Sequence, residues 1–183
     1  LNLMELMLVF IILIAIFSTA FVVYPRVEAA KQATSATQIL SGALAQAKAM
    51  FPNGTYGGLT NAVASGGEMF PEEMDLDYPN GVLMNNFGDG VNSNITVRGT
   101  DQLGNLATGN AARYFTITYE DVPDKVCLKF VPGLATHWGR ITVNGVEAIN
   151  KYDSLKSNDY LDEATVATQC NLGTTVTVTM TSN

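Results

Sequence analysis

The first 25 residues, LNLMELMLVFIILIAIFSTAFVVYP, constrain this chain more than any other stretch. Glu5 is their only charged side chain, and 20 uncharged residues separate it from Arg26. At ~1.5 Å per residue such a helix crosses a hydrocarbon layer of ~30 Å. A carboxylate inside that layer is costly, about 2.5–3.5 kcal/mol at mid-membrane, so Glu5 is expected to have a cationic partner. The nearest one is an α-amino group four residues earlier, at Leu1. The opening does not read as a secretory signal, since no basic segment leads it and no small-residue cleavage site closes it.

The helical pattern continues past Pro25 in a different composition. VEAAKQATSATQILSGALAQAKAMF is rich in good helix formers. Ala33, Ala36, Leu40, Ala43, Leu44, Ala47 and Phe51 recur at steps near three and four, which makes one apolar stripe of mostly small side chains. One helix is therefore expected over residues 1–50. Pro25 removes a backbone hydrogen bond and favours a kink, Gly42 is a second weak point, and Pro52-Asn53-Gly54 ends the run. Three parts follow: an apolar helix over 1–25, an amphipathic half over 26–51 and a head domain over 52–183.

The head begins with turn-rich sequence to about residue 92, with a short helix expected over Leu59–Ala64 and one strand over Gly81–Met84. Beyond it, NITVRG, RYFTITYE, VCLKFV, RITVNG and TTVTVTMTS alternate and are rich in β-branched residues, as strands are. Asp124–Phe130 also fits a helical period. Val176, Val178 and Met180 share one face of the last strand. One long helix followed by antiparallel strands is an α+β arrangement.

Chemistry is scarce. The net charge of −7 argues against nucleic acid as a partner. His137, the only histidine, has no nucleophile and acid grouped around it in sequence. Asp75, Asp77, Asp89 and Asp101 lie in loops but lack the spacing of a calcium-binding loop, so solvated carboxylates are the expectation. Asn53-Gly54-Thr55 and Asn94-Ile95-Thr96 match the short glycosylation pattern, which chance supplies often. No catalytic, cofactor-binding or metal-ligating residue is assigned. The two cysteines, Cys127 and Cys170, read as one disulfide in an oxidising compartment, with two separate buried thiols as the alternative.

An unbroken apolar N-terminal helix carrying a lone Glu5, an amphipathic continuation, a turn-rich segment, a sheet and a C-terminal cysteine pair resemble a type IV pilin. Leu1 and the wide cysteine spacing resemble the IVb class. LMNNFGDG at 83–90 is similar in part to an Asn-Pro-aromatic-Gly-Gly turn of that class, with Asn86 and Asp89 as departures. YFTITYEDVPDKVCLKF followed by RITVNG resembles the pilins of conjugative thin pili. Two further departures concern the helix, where Ile14 stands in place of a common glycine and the usual proline is displaced to Pro25.

The resemblance implies a type IV pilin fold: a long helix packed on an antiparallel sheet, with a disulfide-bounded C-terminal region. It implies a mature chain starting at Leu1 after cleavage and methylation by a prepilin peptidase. It implies a homopolymer in which Glu5 of one subunit meets the Leu1 amine of a neighbour. Leu3, Leu6, Val9, Phe10, Leu13, Phe17 and Phe21 would fill the filament core, and helical hydrogen bonds would be lost around Ser18, Thr19 and Pro25. A cytoplasmic assembly ATPase and an inner-membrane platform would drive export to the cell surface, where a recipient or neighbouring cell is the outer partner. A minor pilin or pseudopilin, and a membrane-anchored periplasmic domain holding a ligand or calcium, are the alternatives.

Overall fold

A computed structural model describes residues 2–87, 92–153 and 160–183. Helix α1 spans Leu3–Met50 without interruption, roughly 72 Å at ~1.5 Å per residue. It stays helical through positions 25 and 42; the Pro25 side chain lies outside the described residues. Every described side chain from Asn2 to Glu28 is exposed. Ala29 is the first to be buried, followed by Ala33, Ala36, Leu40, Ala43 and Ala47. This is the expected stripe, with Leu44 and Phe51 half-buried at its margin. Alanine at these sites lets the helix lie close to its neighbours, chiefly helix α3 (Asp124–Leu134). A larger side chain has nowhere to go. Ala43→Phe is expected to destabilise the head by about 1–3 kcal/mol through overpacking; an unchanged midpoint in a denaturant titration would show the stripe to be loosely packed.

Five strands form one antiparallel sheet in the order β1-β2-β5-β3-β4. They are β1 (Ile95–Thr100), β2 (Tyr114–Pro123), β3 (Arg140–Val143), β4 (Val146–Asn150) and β5 (Thr175–Thr181). The register aligns Val97, Ile117, Met180, Ile141 and Ile149 in one row across the whole sheet. All are buried, in the same core as the α1 stripe and α3. The C-terminal strand β5 is central, so the sheet closes only when the end of the chain arrives. Asn144-Gly145 joins β3 to β4 with both φ angles positive, as a two-residue hairpin of this hand requires. The Asn144 amide also bonds Gln169 O at 3.2 Å and accepts from Thr177 N at 3.1 Å. At the outer edge, Asn61 substitutes for a strand: its amide donates to Ile95 O at 2.8 Å and accepts from Val97 N at 2.6 Å.

Strand β4 was not anticipated, and four further segments differ from or refine the sequence expectations. Gly81–Met84 is not a strand; Leu83 and Met84 make single bridges to Asp75 and Asn94. Gly81, at φ 86°, turns the chain there, and too few residues remain to build a ladder. Over Asp124–Phe130 the helical alternative prevails and extends to Leu134, because Val126, Cys127, Phe130, Val131 and Leu134 recur at helical spacing and are all buried. Helix α2 runs over Asn61–Gly66, slightly later than expected, with Thr60 as its cap. Helix α4 (Glu163–Cys170) was not anticipated. It buries only Val166 and Cys170, too few for a period to show, and depends on its cap. The Thr165 N–H and hydroxyl bond the Asp162 carboxylate and hold it below the usual acid range.

Candidate functional site

The outstanding surface is the first half of α1. Leu3, Leu6, Val9, Phe10, Leu13, Phe17 and Phe21 are all exposed, as are the apolar residues between them. No face of this segment is polar, so water does not suit any orientation of it. Its composition and length fit a membrane span. A helix apolar all round belongs in lipid or among other helices.

Within it, Glu5 accepts a hydrogen bond from the Asn2 backbone N–H at 3.4 Å, in the first turn, where a carboxylate meets free amides and the positive end of the helix dipole. That bond is long and leaves lone pairs unused. Leu1, the expected partner, lies outside the described residues. Ser18 bonds Ala15 O at 3.0 Å, and Thr19 bonds Ala15 O at 3.0 Å and Ile16 O at 2.9 Å. Back-bonding of this kind hides the hydroxyls from hydrocarbon and loosens the helix locally. It falls one to two turns before Pro25, whose missing N–H leaves a carbonyl of the previous turn without its helical donor.

On the head, Cys127 of α3 and Cys170 of α4 form a disulfide with a Cα–Cα separation of 5.7 Å. Both are fully buried. The bond fastens the short α4 to the helix that packs on α1, so the C-terminal region and the long helix become parts of one body.

The remaining polar candidates are engaged in folding. His137 is exposed beside the buried Trp138. The Asp101 carboxylate organises its own loop. Slight burial pushes its pKa up, but the Asn105 side chain and the N–H groups of Asn105, Leu103 and Gly104 outweigh that and hold it low. Asp77 accepts from Asn80 at 3.1 Å, and Asp75 from the Ser65 hydroxyl. Asp89 lies outside the described residues. Among the described residues no three His, Cys, Asp or Glu side chains are grouped to hold a metal ion.

Two features escaped the sequence. A groove of about 790 Å³ runs between α1 and the 65–78 segment, over Ile39, Gly42, Met69 and Phe70 and beside Glu68, Glu72 and Asp75. Only the folded chain brings these positions together. On the opposite flank of α1, helix α3 exposes Lys125, Leu128, Lys129 and Pro132. Their 3-and-4 spacing was the available signal, hidden because the same stretch also alternates like a strand.

Comparison with protein families matches residues 27–183 to the family described as PilS N terminal. No curated protein matches the chain. The matched span starts just after Pro25, so it covers the packed half of α1 and the whole head, and leaves the exposed apolar half outside.

Proposed function

Since the chain belongs to the PilS N-terminal family and is a type IVb pilin, a structural pilus subunit, we propose that it is the major subunit of a pilus of the conjugative thin-pilus kind. The subunit waits in the inner membrane and then polymerises into a helical surface filament that holds neighbouring or recipient cells together. One observation carries this: an apolar helix exposed on every side continues without a break into a head that is already fully packed. The head has no need of the first half of α1, so that half is free to be covered by copies of itself.

The exchange is lipid for protein, so van der Waals packing and shape, rather than water exclusion, drive it. Charge sets the register. Glu5 of an incoming subunit moves along the axis until it meets the Leu1 amine of a neighbour, and both charges lose the penalty of standing alone. Ser18, Thr19 and Pro25 mark where α1 gives up helical bonds as heads rotate into place. Processing by a prepilin peptidase and the work of an assembly ATPase at a membrane platform come from other proteins of the system.

A shear fraction tests the proposal. Long filaments built of this chain as their main component are expected from cells that carry the complete assembly system. Filaments of another pilin with this chain only at their tips would make it a minor subunit. The other class, a membrane-anchored binding domain, is disfavoured by Asp77 and Asp101, whose carboxylates are bonded within their own loops.

A further inference from the structure

The two flanks of α1 differ in charge and in shape. On one side lies the groove, whose floor is Ile39, Met69 and Phe70 and whose wall carries Glu68, Glu72 and Asp75. Among the described residues no lysine, arginine or histidine lines it. Asp75 Oδ2 takes the Ser65 hydroxyl, but Oδ1 is buried and has no hydrogen-bond partner among the described residues. Gly42 leaves open space on the helix side, where a side chain would narrow the groove.

On the other side α3 presents a ridge. Leu128 stands exposed between Lys125 and Lys129, with Pro132 one turn on. Val126, Cys127, Phe130 and Val131 fill the buried side of the same helix, so this ridge points away from the head. Lys129 Nζ donates to Arg26 O at 3.2 Å, which places the ammonium beside α1 with donors to spare. Among the described residues neither ridge lysine is in a salt bridge; the one such pair is Arg140–Glu147.

We propose that the α3 ridge of one copy, Lys125, Leu128 and Lys129, docks into the groove between α1 and the 65–78 segment of the next copy. Leu128 meets the apolar floor, and the ammonium groups meet the exposed carboxylates of Glu68 and Glu72. The occupant is a second copy of this chain because the complement of the groove lies on the chain's own opposite flank. Two different surfaces that fit each other form a heterologous contact, and repeating it generates an open helical filament rather than a closed dimer. Opposite charges on the two surfaces also reject the wrong pairings, ridge on ridge or groove on groove. This rests on the filament proposal above and says which head surfaces meet within it.

The test uses the full chain in cells that carry the assembly system. Lys125→Glu with Lys129→Glu is expected to lower filament yield about tenfold or more, as like charges then face each other. Glu68→Lys with Glu72→Lys is expected to do the same. All four changes in one chain are expected to restore filaments, which a mere folding defect would not do. Carbodiimide treatment of wild-type filaments, joining amines directly to carboxylates, is expected to yield intersubunit peptides linking Lys125 or Lys129 to Glu68 or Glu72. Unchanged yield from either double variant, failure of the fourfold variant to recover, or cross-links confined to other pairs would overturn the interface while leaving the filament standing. Absence of filaments from the wild-type chain would overturn both.

Discussion

Glu5→Val is expected to leave a folded, membrane-held monomer that builds few or no filaments. On the proposed pairing, the substitution removes the carboxylate and leaves a neighbour's Leu1 amine without a counter-charge among apolar helices. An unpaired charge in such a medium costs about 2.5–3.5 kcal/mol, which corresponds to about a hundredfold in the equilibrium for adding each subunit. Glu5→Gln is expected to fall short in the same direction, because it keeps the shape and loses the charge. The head is expected to be unaffected in both, since burial begins only at Ala29. Pilus yield against total membrane-bound chain, with the head's unfolding midpoint as control, reads the effect. Normal yield from Glu5→Val would remove the ion pair from the account.

Loss of the disulfide is expected to have the second large effect. The bond closes a loop of 43 residues between Cys127 and Cys170. On the chain-entropy account a ring of this size contributes about 4 kcal/mol by restricting the unfolded chain. For a head of this size the melting temperature is expected to fall by about 8–16 °C. Cys127→Ala with Cys170→Ala is the suitable variant, as both sites are fully buried and serine would bring hydroxyls in need of partners. Helix α4 is expected to suffer most. Apart from Cys170, Val166 is its only buried residue, so amide exchange over Glu163–Cys170 should speed up beyond that of the sheet. An unchanged melting temperature, or equal protection of α4 in the double variant, would show that packing alone holds the C-terminal region.

What could be read without coordinates follows from how local each signal is. The long helix, its alanine stripe and the strands over Ile95–Thr100, Tyr114–Pro123, Arg140–Val143 and Thr175–Thr181 are repeated patterns, with several residues voting for each. KVCLKF satisfied two periods at once, and only the core decided between them, since a helix buries Val126, Cys127 and Phe130 together. Helix α4 has too few buried residues to leave a pattern. The strand expected at Gly81–Met84 failed because a β-prone run without a partner ladder is only a bridge. The sheet order was not readable either: nothing local says that the last strand sits in the middle. Of the surfaces, the apolar helix was plain from composition. The groove was not, because its walls come from segments of α1 and of the 65–78 region that meet only in the fold.

The most direct measurement is a helical reconstruction of sheared filaments at a resolution that shows side chains. The expected arrangement has Leu3 to Phe21 packed on the axis against the same segment of neighbouring copies. It has the Glu5 carboxylate within hydrogen-bond reach of a neighbour's Leu1 amine and heads forming the outer wall. Filaments held together by heads alone, with the apolar helices lying outside the core or Glu5 facing no amine, would contradict it.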